Sequence, residues 1–181
     1  MSIFDDIEKS KESGQFVIFL GGYAKDNNWR NDIKEKFSDS FSFIDPYDEN
    51  WTLENNVYAE LAGASNAHLV VFYNPGEGSK REIEFLELID EAQKAIVFDD
   101  YDELIDYFEK FKNFLNEMIE IEIEIEEISE ALNTYGTGAE SEHSISKITK
   151  INAWTCKVIL DSAYKYNILD IEDIEDVKDI E

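Results

Sequence analysis

The side chains best suited to chemistry in this chain are carboxylates gathered where strands are predicted to end. Asp45 and Asp48 follow the second predicted strand, Glu60 lies on the helix before the third, and Glu77 and Glu82 come after it. Carboxylates that share a cleft act as nucleophile and as acid or base on a glycosidic bond. Other reactive patterns are absent: the chain has no P-loop, no paired-cysteine metal spacing and no nucleophile elbow. Gly21-Gly22 is too short for a dinucleotide fingerprint, and His68 and His143 have no metal-ligand spacing to one another. No cofactor and no metal are expected. In so acidic a chain, the competing reading of each carboxylate is a solvated surface group.

The stretch Glu60 to Leu86, ELAGASNAHLVVFYNPGEGSKREIEFL, has to position most of these residues. His68 to Tyr73 is a short apolar run that predicts a buried strand, and His68 reads as structural. Pro75, Gly76 and Gly78 predict a loop. Ser79 reads as a helix N-cap with Glu82 three residues later, the spacing of a capping box, which places Glu82 in the first helical turn. Ser79-Lys80-Arg81 at that terminus either holds a phosphate or is solvated.

The rest of the N-terminal half has the same grammar. Phe16–Leu20 predicts a buried strand, and Gly21-Gly22-Tyr23 a glycine-rich loop. Trp29, Ile33 and Phe37 form a helical stripe, Phe41–Ile44 a second strand, Leu53–Ala64 a helix with Val57, Leu61 and Ala64 on one side, and Ala95–Phe98 a fourth strand after a helix over about 79–92. The order βαβαβαβ predicts an α/β fold with a doubly wound parallel sheet over residues 1–105. Residues 106–181 predict an acidic, mostly helical C-terminal extension. Within it, 118–128 (MIEIEIEIEEI) fits helix and strand equally, 133–144 predicts a loop, and Ile145–Tyr166 a helix with Ile148, Ile151, Trp154, Val158 and Ile159 on one face.

Composition bounds the partners. The 181 residues carry a formal charge of −26, from 42 acidic and 16 basic residues. That excess opposes nucleic-acid binding and docking on anionic membranes, and leaves a basic partner open. Cys156 is the only cysteine, so no disulfide framework forms, and there is no apolar segment long enough for a signal core or a span. A soluble, cytoplasmic protein is expected.

The ordered set of segments resembles the nucleoside 2-deoxyribosyltransferases over residues 16–100. The residues that carry the likeness are Gly21-Gly22-Tyr23 after the first strand, Asp45-Pro46-Tyr47-Asp48 after the second, and ELAGASNAHLVVFY into the third. Gly78-Ser79, Glu82-Ile83 and KAIVF complete it. The resemblance implies a flavodoxin-like sandwich, a homo-oligomer and a retaining glycosyl transfer on a small-molecule nucleoside or nucleotide. Glu82 matches the nucleophile that attacks C1′, Glu60 the acid that contacts the nucleobase, and Gly22 and Tyr23 the base pocket. Asp45, Asp48, Glu77 and Ser79 stand among the substrate-binding positions. Near a helix N-terminus, Glu82 is expected to stay ionised. Glu84 stands where the family has glycine, an anion that would crowd the sugar or raise the Glu82 pKa, and a shifted alignment puts Glu84 or Glu87 in the nucleophile's place. The same fold with its chemistry lost would be a nucleotide-binding or sequestering protein. The third reading is an acidic interaction protein that mimics a polyanion.

Overall fold

Phe16–Gly22 carries branched and aromatic bulk up to two terminal glycines, and forms β1, buried as far as Gly21. A strand of this composition is stable where both faces are covered. In this computed structural model, which describes residues 3–23, 27–47, 53–89, 95–135, 151 and 153–168, β1 sits inside a sheet. It pairs in parallel with β2 (Phe41–Ile44) on one side and β3 (Leu69–Tyr73) on the other, and β3 pairs in parallel with β4 (Ala95–Phe98). The order is β2-β1-β3-β4. The chain therefore reverses its direction of travel across the sheet between β1 and β3, where ligands bind at the carboxyl ends of open parallel sheets. The glycines predicted as a loop instead finish β1: Gly21 pairs with Phe72 and Gly22 with Tyr73.

The helices are α1 (Ile3–Ser13), α2 (Asn28–Phe37), α3 (Leu53–Asn66), α4 (Glu77–Leu88), α5 (Tyr101–Glu120), α6 (Ile125–Tyr135) and α7 (Ala153–Lys165). None of the described helices is long and apolar enough to cross a membrane. The chain divides into two compact units, Met1–Ile105 and Asp106–Glu181. In the first, Ile7 of α1, Ala64 of α3 and Leu86 of α4 pack with Val17, Phe19, Ile44, Val70 and Phe72 of the sheet. Gly63 lets α3 come close: a Cβ there would stand 2.9 Å from Phe19, 3.0 Å from Ile3 and 3.1 Å from Ile44. Trp29, Ile33 and Phe37 are buried, as their spacing requires. His68 is structural. Its Nδ1 accepts from the Val17 N–H at 3.0 Å, its own N–H donates to the Val17 carbonyl at 2.9 Å, and its ring lies 4.9 Å from that of Phe16.

In the second unit, Phe108, Phe111, Phe114, Leu115 and Met118 bury one face of α5. Glu117 accepts hydrogen bonds from Ser162 (3.2 Å), Lys165 (2.7 Å) and Tyr166 (2.8 Å), so one carboxylate ties α5 to α7. The Ile/Glu run is neither one helix nor a strand. It ends α5, turns at Ile121-Glu122 and starts α6, because Glu122 takes φ +63°. The Glu122 N–H then donates to the Ile119 carbonyl and the Ile123 N–H to that of Met118, which satisfies the helix end. The predicted loop at 133–144 starts later than expected, since α6 runs to Tyr135, and the remainder lies outside the described residues. Trp154 does not join the buried face of α7. It is 70% exposed, while Thr155, Cys156, Ile159, Leu160 and Ala163 form the stripe that packs inward.

A residue in the left-handed region pays for its Cβ, and glycine does not. Glu122→Gly is expected to raise stability by about 0.5–1 kcal/mol, net of the added freedom of the unfolded chain. A higher urea midpoint at unchanged denaturant slope checks it.

Candidate active site

Pro75-Gly76 ends the turn after β3, and α4 begins at Glu77 with Gly76 as an extended N-cap. Ser79 is therefore the third residue of the helix, not its cap, and is 3% exposed. Glu82 falls in the second turn. Ser79, Glu82 and Leu86 are the buried positions of α4, while Glu84 and Glu87 are exposed. Of the three acids that sequence alone left as alternatives, Glu82 is the one turned inward.

The expectation that the helix dipole keeps Glu82 ionised is overturned. The dipole acts within the first turn, and Glu82 lies past it. Burial pushes its carboxyl up to about 8, the charge of Glu60 on α3 adds to that, and Arg30 on α2 partly opposes it. Glu84 is not a cause. At neutral pH Glu82 is thus mostly a neutral acid with Glu60, half-buried, in its electrostatic neighbourhood. The helices that carry the two acids, α3 and α4, pack together, and α4 also packs against β1.

Gly22 closes β1 with φ +140°, and a Cβ there would collide with the Tyr73 carbonyl, so only glycine fits. Tyr23 follows, 52% exposed, with its ring near Gly76. Tyr73 sits between Trp29 (5.4 Å between ring centroids) and Tyr101 (5.8 Å), forming an aromatic row at the carboxyl end of β3. The Tyr101 hydroxyl donates to Asp32, and burial with that bond raises its pKa.

Asp45, a substrate-binding position in the family resemblance, is engaged through both carboxylate oxygens. Its Oδ1 accepts from the Tyr47 N–H at 3.0 Å and lies 3.5 Å from Arg30 Nε, and Lys34 Nζ donates to its Oδ2 at 2.5 Å. Burial raises the nearby Asp6 carboxyl despite a hydrogen bond from the Asp45 backbone. Asp48 and the side chain of Glu77 lie outside the described residues.

Two residues were missed by sequence reasoning. Arg30 is fully buried, and its signal was helical: residues 30, 33 and 37 share the face of the apolar stripe. Asn27 carries a buried Oδ1 that has no hydrogen-bond partner among the described residues, an acceptor fit for a donor on a bound molecule. Its position before α2 reads in sequence only as a cap, yet it makes no capping bond. Among the described residues, no group of His, Cys, Asp and Glu is arranged to hold a metal ion. No family model, curated protein or solved structure matches this chain.

Glu82 holds its proton to about pH 8 in the folded protein, against an ordinary value of 4.5. The folded state therefore binds more protons across that window, and its stability falls as pH rises through it. Glu82→Gln removes this loss. Relative to the wild type, the variant is expected to gain up to about 4 kcal/mol between pH 5 and pH 8. Urea unfolding of both proteins across that range checks it.

Proposed function

We propose that the chain transfers or hydrolyses the N-glycosidic bond of a nucleoside or deoxynucleoside, with Glu82 as nucleophile and Glu60 as the acid at the base. The observation that carries this reading is a buried carboxyl, Glu82, under the influence of a second carboxylate, Glu60, the two acids standing on helices that pack together. On this reading residues 1–105 are a doubly wound, flavodoxin-like nucleoside 2-deoxyribosyltransferase-like domain, and 106–181 a C-terminal helical extension. The protein is a cytoplasmic homo-oligomer, with Gly22, Tyr23 and Ser79 lining the pocket.

The step is a displacement. An ionised Glu82 oxygen bonds to C1′ as the C1′–N bond breaks. The bond's electron pair leaves with the base, which Glu60 contacts and which takes up a proton from solvent water. An incoming base, or water, then bonds to C1′ and loses its proton to solvent, as the C1′–O bond to Glu82 breaks and releases the carboxylate. A carboxylate in a site dry enough to raise its pKa is weakly solvated, which suits it to stabilise positive charge developing on the sugar.

A second reading has its own observation. Held near pH 8, Glu82 is a hydrogen-bond donor at neutral pH, which suits a protein that binds a nucleotide-like molecule without cleaving it.

Incubation with deoxyinosine, thymidine and free adenine, followed by chromatography, separates the two. New deoxyadenosine is expected from the wild type and from Glu84→Ala, with a loss of at least about 1,000-fold in Glu82→Ala. Free base alone would mark a hydrolase. Ligand-induced stabilisation without turnover would mark the binding reading. For the enzyme, kcat/KM is expected to rise about tenfold per pH unit below pH 8 and level off above it, since the nucleophile must be ionised.

A further inference from the structure

Arg30 is among the largest fully buried side chains of the chain, 1% exposed. Removing a guanidinium from water costs several kcal/mol unless its donors are engaged, and an apolar side chain of like volume fills space at less cost. The donors are engaged by specific partners. Nε donates to the Leu20 carbonyl at 3.1 Å and lies 3.5 Å from Asp45 Oδ1. Nη1 donates to the Tyr23 carbonyl at 3.3 Å. Cζ lies 4.7 Å from the centre of the Trp29 ring. Leu20 lies near the carboxyl end of β1, Tyr23 is the first residue past it, and Asp45 is the first residue past β2. The rigid fork of the guanidinium reaches them together, which a lysine ammonium cannot do.

We infer that Arg30 is the positioning residue of the site: it pins the Gly21–Tyr23 segment to the end of β2. This rests on the reading of Glu82 as the working carboxylate. The charged groups acting on Glu82 are Glu60 from α3, which holds its proton on, and Arg30 from α2, which favours releasing it. Arg30 is itself anchored by Asp45, whose other oxygen is held by Lys34. Its charge therefore stays in place while a substrate comes and goes. A residue that merely filled the space under β1 would leave the ionisation of Glu82 alone.

The test compares the full-length wild type with Arg30→Lys and Arg30→Gln. The Glu82 carboxyl is followed by ¹³C chemical shift against pH, with Glu82→Gln identifying its signal. Amide exchange is followed at residues 20–23, and kcat and KM against pH with a deoxynucleoside. Arg30→Gln is expected to raise the Glu82 midpoint by about one pH unit and to move the rise in rate by the same amount. Arg30→Lys keeps the charge and is expected to hold the midpoint within a few tenths of a unit. Both variants lose the fork, so exchange at residues 20–23 should quicken about tenfold and KM should rise. Equal Glu82 midpoints in wild type and Arg30→Gln, or equal Glu82 midpoints in Arg30→Lys and Arg30→Gln, would overturn the inference. If Arg30→Gln does not fold, Arg30→Lys decides: an unmoved midpoint with faster exchange supports it, and unchanged exchange overturns it. An inactive wild type removes the glycosyl reading but leaves the Glu82 midpoint to judge Arg30.

Discussion

The parallel pairing of β1 with β3 is the constraint on which the site depends. Ile18 to Gly22 lie opposite Leu69 to Tyr73, and the register ends with Gly22 against Tyr73. A side chain at Gly22 would strike the Tyr73 carbonyl, so the pair can close only because Gly22 lacks a Cβ. That closure sets where the chain leaves β1 toward α2 and where it leaves β3 toward α4. Arg30 and Glu82, 52 positions apart in sequence, feel each other's charge because these two exits are neighbours at the switch in strand order.

The chain places most of its charge outside and a little of it inside, and the inside part matters more. A net charge of −26 spread over a wet surface is screened within roughly 10 Å at ordinary ionic strength. Glu82 and Arg30 are removed from that screening. There burial dominates over the helix dipole, and Glu82 becomes a weak acid despite belonging to a helix that begins only five residues earlier. Stability is spent at this position, since a buried carboxyl with an anionic neighbour favours the unfolded state as pH rises. Glu117 is the opposite case: solvent-accessible and bonded by Lys165 and Tyr166, its carboxyl is held below the ordinary range. The same side chain serves as a tie in one unit and as a reactive candidate in the other, and the difference is environment alone.

Much of the fold was legible because apolar runs and helical stripes report burial directly. The boundaries of Phe41–Ile44 and Ala95–Phe98 follow from their composition, and the inward turn of Trp29, Ile33 and Phe37 from their spacing. Local rules failed where two of them competed. Ser79 looked like a cap because serine caps helices, yet Gly76 after Pro75 starts the helix three residues sooner. The alternation of Ile and Glu after Met118 suggested a single element, but one residue at positive φ splits it. Helical spacing puts Trp154 on the apolar face, and the packing of its helix leaves it outside.

By itself the sequence determined the alternation of strands and helices, and a set of acids near strand ends. These are properties of residues within a few positions of each other, where periodicity and steric bulk act. Tertiary structure decided which acid matters. Glu82, Glu84 and Glu87 are alike in sequence, and only the packing of α4 turns one of them inward. It also made Asp45 an anchor of Arg30, and set the proton on Glu82, because solvation and charge are fixed by neighbours that lie far apart along the chain.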